Sequence, residues 1–113
     1  MPASSAHPSP DSPVVWADPH RQAAFERWLE GRVAPHGVQP ETLRLASADA
    51  SFRRYLRVDA GGRSLVVMDA PPAQENCQPF VDVTRLMQAA GVRVPDILDW
   101  NAEHGFMLLS DLG

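Results

Sequence analysis

The run Ala46-Ser47-Ala48-Asp49-Ala50-Ser51-Phe52-Arg53-Arg54-Tyr55-Leu56-Arg57 holds the residue types and spacing best suited to chemistry in this sequence. Small side chains let backbone N–H groups come close to an anion. Arg53 and Arg54 follow at once, and a guanidinium grips phosphate oxygens two at a time. The chemistry such a pattern can do is phosphate binding. An ordinary hairpin carrying solvated arginines fits the same residues, so spacing alone leaves both readings open.

Other chemistries find less support. All ten basic residues are arginine, so no mechanism that needs a lysine amine is open to this chain. The single cysteine, Cys77, has no partner for an internal disulfide and reads as a small packing residue. His7, His20, His36 and His104 lack the paired spacing of a zinc site. A net charge of -4 without a basic stretch argues against nucleic acid as a partner. No apolar run approaches the roughly 20 residues that span a bilayer. The N-terminus lacks a basic start and is broken by Pro8, Pro10 and Pro13, which is not a secretory signal. No membrane partner and a cytoplasmic location are the resulting expectations.

The elements that must position the arginines can be read from periodicity. Residues 1–17 are rich in Pro, Ser and Ala and are expected to form a disordered tail. Asp18 and Pro19 mark a helix start. Phe25, Trp28, Leu29 and Val33 make one apolar stripe, and Pro35 and Gly37 stop the helix. Leu43 and Leu45 alternate with polar neighbours as in a half-buried strand. Phe52–Asp59 is a second strand with Phe52, Leu56 and Val58 on one face. Gly61-Gly62 reverses the chain into a third, Leu65–Met68, which Pro71-Pro72 terminates. A helix is expected over about 76–90, with Phe80, Val83, Met87 and Ala90 sharing one face and Gly91 as its stop. Two short strands, Ile97–Trp100 and Phe106–Ser110, flank a turn at Glu103-His104-Gly105. The sum is an α+β domain of 44% hydrophobic residues with a five-stranded antiparallel sheet and two helices.

Three segments carry a resemblance to a known family. Asp49–Arg57, Val66-Val67-Met68-Asp69-Ala70-Pro71-Pro72, and Gly91-Val92-Arg93-Val94-Pro95 followed by Gly105–Gly113 resemble aminoglycoside-phosphotransferase-like sugar kinases. The nearest likeness is to anomeric kinases of cell-wall recycling, which phosphorylate N-acetylmuramate and N-acetylglucosamine at C1. The resemblance implies a protein-kinase-like N-terminal lobe over residues 18–113, with ATP as cofactor and an amino sugar as acceptor. By position it implies a phosphate loop over 47–54, with Ser47, Asp49, Ala50, Ser51, Arg53 and Arg54 as contacts. Ser110, Asp111 and Leu112 would open the hinge that bonds adenine through its backbone.

Departures from the family pattern are visible too. The loop has no glycine, and Asp49 sets a negative charge near the phosphates. A typical kinase holds the phosphates with a strand-three lysine; here that strand reads Val67-Met68-Asp69. Arg54 is the first candidate for the vacant role and Arg53 the second. Adjacent strand residues point to opposite faces, so only one can turn toward the nucleotide. The family's catalytic aspartate and Mg2+ ligands lie in a second lobe, so no catalytic or metal-binding residue is expected in this chain. It is read as a fragment or truncated gene product, inactive alone. A non-catalytic α+β binding module, or a remnant that does not fold stably, is the alternative.

Overall fold

The computed structural model describes residues 13–48, 53–72 and 77–111. The first helix, α1 (Pro19–Glu30), starts as the sequence requires. The Asp18 carboxylate accepts from the backbone N–H groups of His20 (2.9 Å) and Arg21 (3.4 Å), and Pro19 opens the first turn. The expected single stripe through Val33 does not hold. The helix ends at Gly31 and a one-turn α2 (Val33–His36) follows, leaving Val33 exposed while Phe25, Trp28 and Leu29 are buried. Gly37 closes α2 in the left-handed region, at φ 72°.

Five strands follow: β1 (Gln39–Ala48), β2 (Arg54–Ala60), β3 (Arg63–Asp69), β4 (Ile97–Asn101) and β5 (Phe106–Ser110). They form one sheet in the order β1-β2-β3-β5-β4, with every neighbouring pair antiparallel. The α+β, five-stranded antiparallel reading is correct. Gly61 and Gly62 make the β2–β3 reversal with φ of 57° and 90°, a region that glycine enters without strain. The continuous apolar run of β3 sits in the middle of the sheet, where both faces are covered.

The two faces carry separate cores. On one, Leu56, Val58, Leu65, Val67, Phe106 and Leu108 pack under α1 with Phe25 and Trp28. Phe25 meets Phe106 edge-on at 5.1 Å and lies tilted to Trp16 at 5.0 Å. Val14 and Trp16, from the stretch read as a tail, pack on this core. Residues 1–12 lie outside the described residues.

The other face lies under α3 (Gln78–Ala89), with Met68, Ala70, Cys77, Val81, Met107 and Leu109 buried. The face shared by Phe80, Val83, Met87 and Ala90 is not the one that α3 buries. Cys77, Val81 and Thr84 are buried, whereas Val83, Met87 and Ala90 are exposed and Phe80 is half-buried. Both lines have helical periodicity, and only the sheet decides which of them turns inward. The C-terminus of α3 closes as Gly91 predicts. Gly91 N–H donates to the Gln88 carbonyl (3.0 Å) and Val92 N–H to that of Met87 (2.9 Å), with Gly91 at φ 82°.

Candidate functional site

Rotating Phe80, Val83 and Met87 away from the buried line leaves a gap between α3 and the sheet. A cavity of about 730 Å3 fills it, lined by Arg53 just before β2, Tyr55 of β2, Val66 of β3, Phe80, Val83, Thr84 and Met87 of α3, and Leu109, Ser110 and Asp111 at the end of β5. That volume is in the range of small-molecule sites. The lining is apolar through its middle and polar at its margins.

Strand alternation explains which side chains reach it. The pairs Tyr55↔Met68 and Arg57↔Val66 across β2–β3, and Val66↔Leu109 across β3–β5, put all these residues on the α3 face. Arg53 belongs to the same series. Its guanidinium lies 5.6 Å from the Phe80 ring centroid, and its Nη1 is 3.5 Å from the Tyr55 hydroxyl. Arg54, preferred from sequence, turns the other way. Its Nε donates to Asp69 at 2.7 Å and its Nη1 to the Val15 carbonyl at 2.8 Å, with Trp16 beneath the guanidinium at 4.4 Å. Arg53 faces the cavity and Arg54 faces α1.

Opposite Arg53, the end of β5 is held by polar contacts. Ser110 Oγ accepts from Asp96 N–H (2.8 Å), and Ser110 N–H donates to the Asp96 carbonyl (3.0 Å). The Asp111 carboxylate accepts from Arg57 Nε (3.0 Å) and from the Ser64 hydroxyl (2.5 Å). These bonds tie the exit of β5 to β2 and β3. Ser47 is exposed and pairs with Tyr55 across β1–β2, outside the cavity lining. Asp49, Ala50, Ser51 and Leu112 lie outside the described residues. Among the described residues no three His, Cys, Asp or Glu side chains gather as metal ligands.

Sequence reasoning missed Tyr55, Val66, Phe80, Val83, Met87 and Leu109 as cavity residues. A usable signal was present for β2: positions 53, 55 and 57 share a face whenever any one of them faces the site. For α3 there was none, because the stripe that lines the cavity is as apolar as a core stripe.

The chain is similar to the N-acetylmuramate/N-acetylglucosamine kinase of Pseudomonas aeruginosa, 63% identical over 76 residues, 67% of this chain and 22% of that protein. The Pseudomonas putida protein of the same name is 48% identical over 100 residues, 88% of this chain and 28% of the relative. That of Neisseria meningitidis serogroup B is 39% identical over 97 residues, covering 82% and 27%. The chain thus spans only 22% to 28% of the length of the curated relatives it matches. No solved structure matches it. The model of the phosphotransferase enzyme family matches residues 42–113, which takes in all of α3 and four of the five strands entire. On that match the chain belongs to the phosphotransferase enzyme family.

Proposed function

We propose that this chain forms the nucleotide-binding lobe of a cytoplasmic, ATP-dependent amino-sugar kinase. The reaction passes the γ-phosphoryl of ATP to the anomeric hydroxyl of N-acetylmuramate or N-acetylglucosamine. The sugar oxygen gains the phosphoryl and loses its proton, and ADP departs. The observation that carries this reading is the cavity between α3 and the sheet, with an arginine at one margin and the exit of β5 at the other. The names of the relatives support the acceptor class.

The lining fits the proposed ligand. Tyr55, Val66, Phe80 and Leu109 offer apolar and aromatic surface to a flat purine. The backbone at Ser110 and Asp111, continued by Leu112, is the proposed edge contact for the base. Arg53 takes the phosphates, in the role that a strand-three lysine fills in typical kinases. Ser47 and the run through Asp49, Ala50 and Ser51 are the proposed backbone cradle around them. ATP and Mg2+ supply the transferable phosphoryl group and its charge neutralisation when bound. An open apolar strip supports the lobe reading over a self-contained binding module. Leu86 is 71% exposed, and Val83, Met87 and Val92 are exposed with it.

The test is ATP affinity, read by titration calorimetry on wild type, Arg53→Ala and the control Arg63→Ala, whose side chain lies exposed at the β2–β3 turn. A charged hydrogen bond is worth about 1.5–3 kcal/mol, so Arg53→Ala should weaken ATP by roughly tenfold to more than a hundredfold. Arg53→Lys should recover only part, since the planar fork is lost. Equal affinities for Arg53→Ala and wild type would overturn the assignment.

A further inference from the structure

Asp69 ends β3 and is 3% exposed. Two arginines from different elements grip it. Arg54 donates Nε–H to Oδ2 at 2.7 Å, and Arg21 of α1 donates Nε–H and Nη2–H to Oδ1 at 3.1 and 2.5 Å. Each arginine spends another donor on a backbone carbonyl. Arg21 reaches that of His104 at 2.5 Å, and Arg54 reaches that of Val15 at 2.8 Å. Each also lies over a ring, Arg21 over Phe106 at 4.5 Å and Arg54 over Trp16 at 4.4 Å. A single buried carboxylate therefore joins α1, the 14–16 segment, β2, β3 and the β4–β5 turn.

The place of this clasp matters more than its strength. Arg54 and Asp69 are also backbone partners, at the end of the β2–β3 ladder beside the loop that precedes β2. Arg53 is the next residue toward that loop. Successive side chains of extended backbone face opposite sides, so holding Arg54, the first residue of β2, on the α1 face favours Arg53 just before it on the cavity face. A slip or twist of one residue there would invert both.

We infer that Asp69, acting through Arg54 with Arg21 as its second support, is a positioning residue that keeps Arg53 turned into the cavity. The inference rests on the reading that Arg53 holds ATP phosphates. Its signature is non-additivity: a residue that works through Arg53 has nothing left to position once Arg53 is gone.

The experiment is a double-mutant cycle on the whole 113-residue chain. ATP affinity is read by NMR titration, at a temperature where circular dichroism shows every variant folded. Asp69→Asn and Arg54→Gln are each measured alone and on the Arg53→Ala background. Each should weaken ATP by about tenfold in the presence of Arg53, the scale of one displaced charged hydrogen bond. Neither should weaken it further on the Arg53→Ala background. If Asp69→Asn fails to fold, Arg54→Gln carries the test, because Arg21 still pairs with Asp69. Losses of equal size on both backgrounds, or no loss at all, would overturn the inference while Arg53 keeps its role. An Arg53→Ala variant that binds ATP like wild type would overturn the functional reading and this inference together.

Discussion

Met68 sits on the cavity side of β3, paired with Tyr55 and directly before Asp69. It is 0% exposed and packs among Ala70, Cys77, Val81 and Met107. A lysine ammonium at this position would enter an apolar cluster. Met68→Lys is therefore expected to lower stability by about 3–5 kcal/mol, the cost of an uncompensated buried charge. It should not improve ATP affinity. Urea denaturation and ATP titration of the same variant check both halves, and a stable Met68→Lys chain that binds ATP more tightly would sink the argument. Arg53, just before β2, instead carries its charge to the cavity margin, with its guanidinium 5.6 Å from the Phe80 ring centroid.

At the scale of elements, the β4–β5 turn fixes how closely β5 and its turn approach the end of β3. Gly105 has φ 76°, and a Cβ built there would stand 1.9 Å from the Ala70 carbonyl oxygen. The same two residues share a hydrogen bond from Ala70 N–H to the Gly105 carbonyl at 2.9 Å. Gly105→Ala meets both a strained backbone and a backbone clash, which no rotamer change relieves. A loss of about 2–4 kcal/mol is expected, drawn from strain and a displaced turn. Thermal unfolding checks this, and a midpoint within one or two degrees of wild type would refute it. The clash falls next to Asp69 and His104, so the variant should also loosen the contacts of Arg21 there.

For the whole molecule, one sheet separates two jobs. The α1 face holds the aromatic core of Trp16, Phe25, Trp28 and Phe106, and the α3 face keeps a small core beside an open cavity. Among the described residues no helix is long and apolar enough to cross a membrane. The chain alone is expected to turn over no sugar. Phosphoryl transfer needs a group that orients the acceptor hydroxyl and ligands for Mg2+. Among the described lining residues the only carboxylate, Asp111, is tied to Arg57 and Ser64. A coupled ATP-consumption assay with N-acetylmuramate should show no sugar-dependent rate above the enzyme-free control. Clear sugar-dependent turnover by the 113-residue chain would overturn this expectation.

Much of the architecture was legible in the sequence because it rests on local chemistry. Asp18-Pro19 starts a helix, Gly61-Gly62 reverses a hairpin and Gly91 ends a helix for reasons contained within a few residues. Alternation along residues 54–60 likewise required one buried face. The linear chain could not say which side of the sheet each face meets. Arg53 and Arg54 are equivalent in type and adjacent in position, and the choice between them belongs to Asp69, Arg21 and the Val15 carbonyl, all distant in sequence. In the same way, the 77/81/84 and 80/83/87 lines of α3 are both apolar enough to serve as a core. The sheet took the first, and the second became the wall of the cavity. Period and composition set which residues share a face, but long-range packing decides what that face touches.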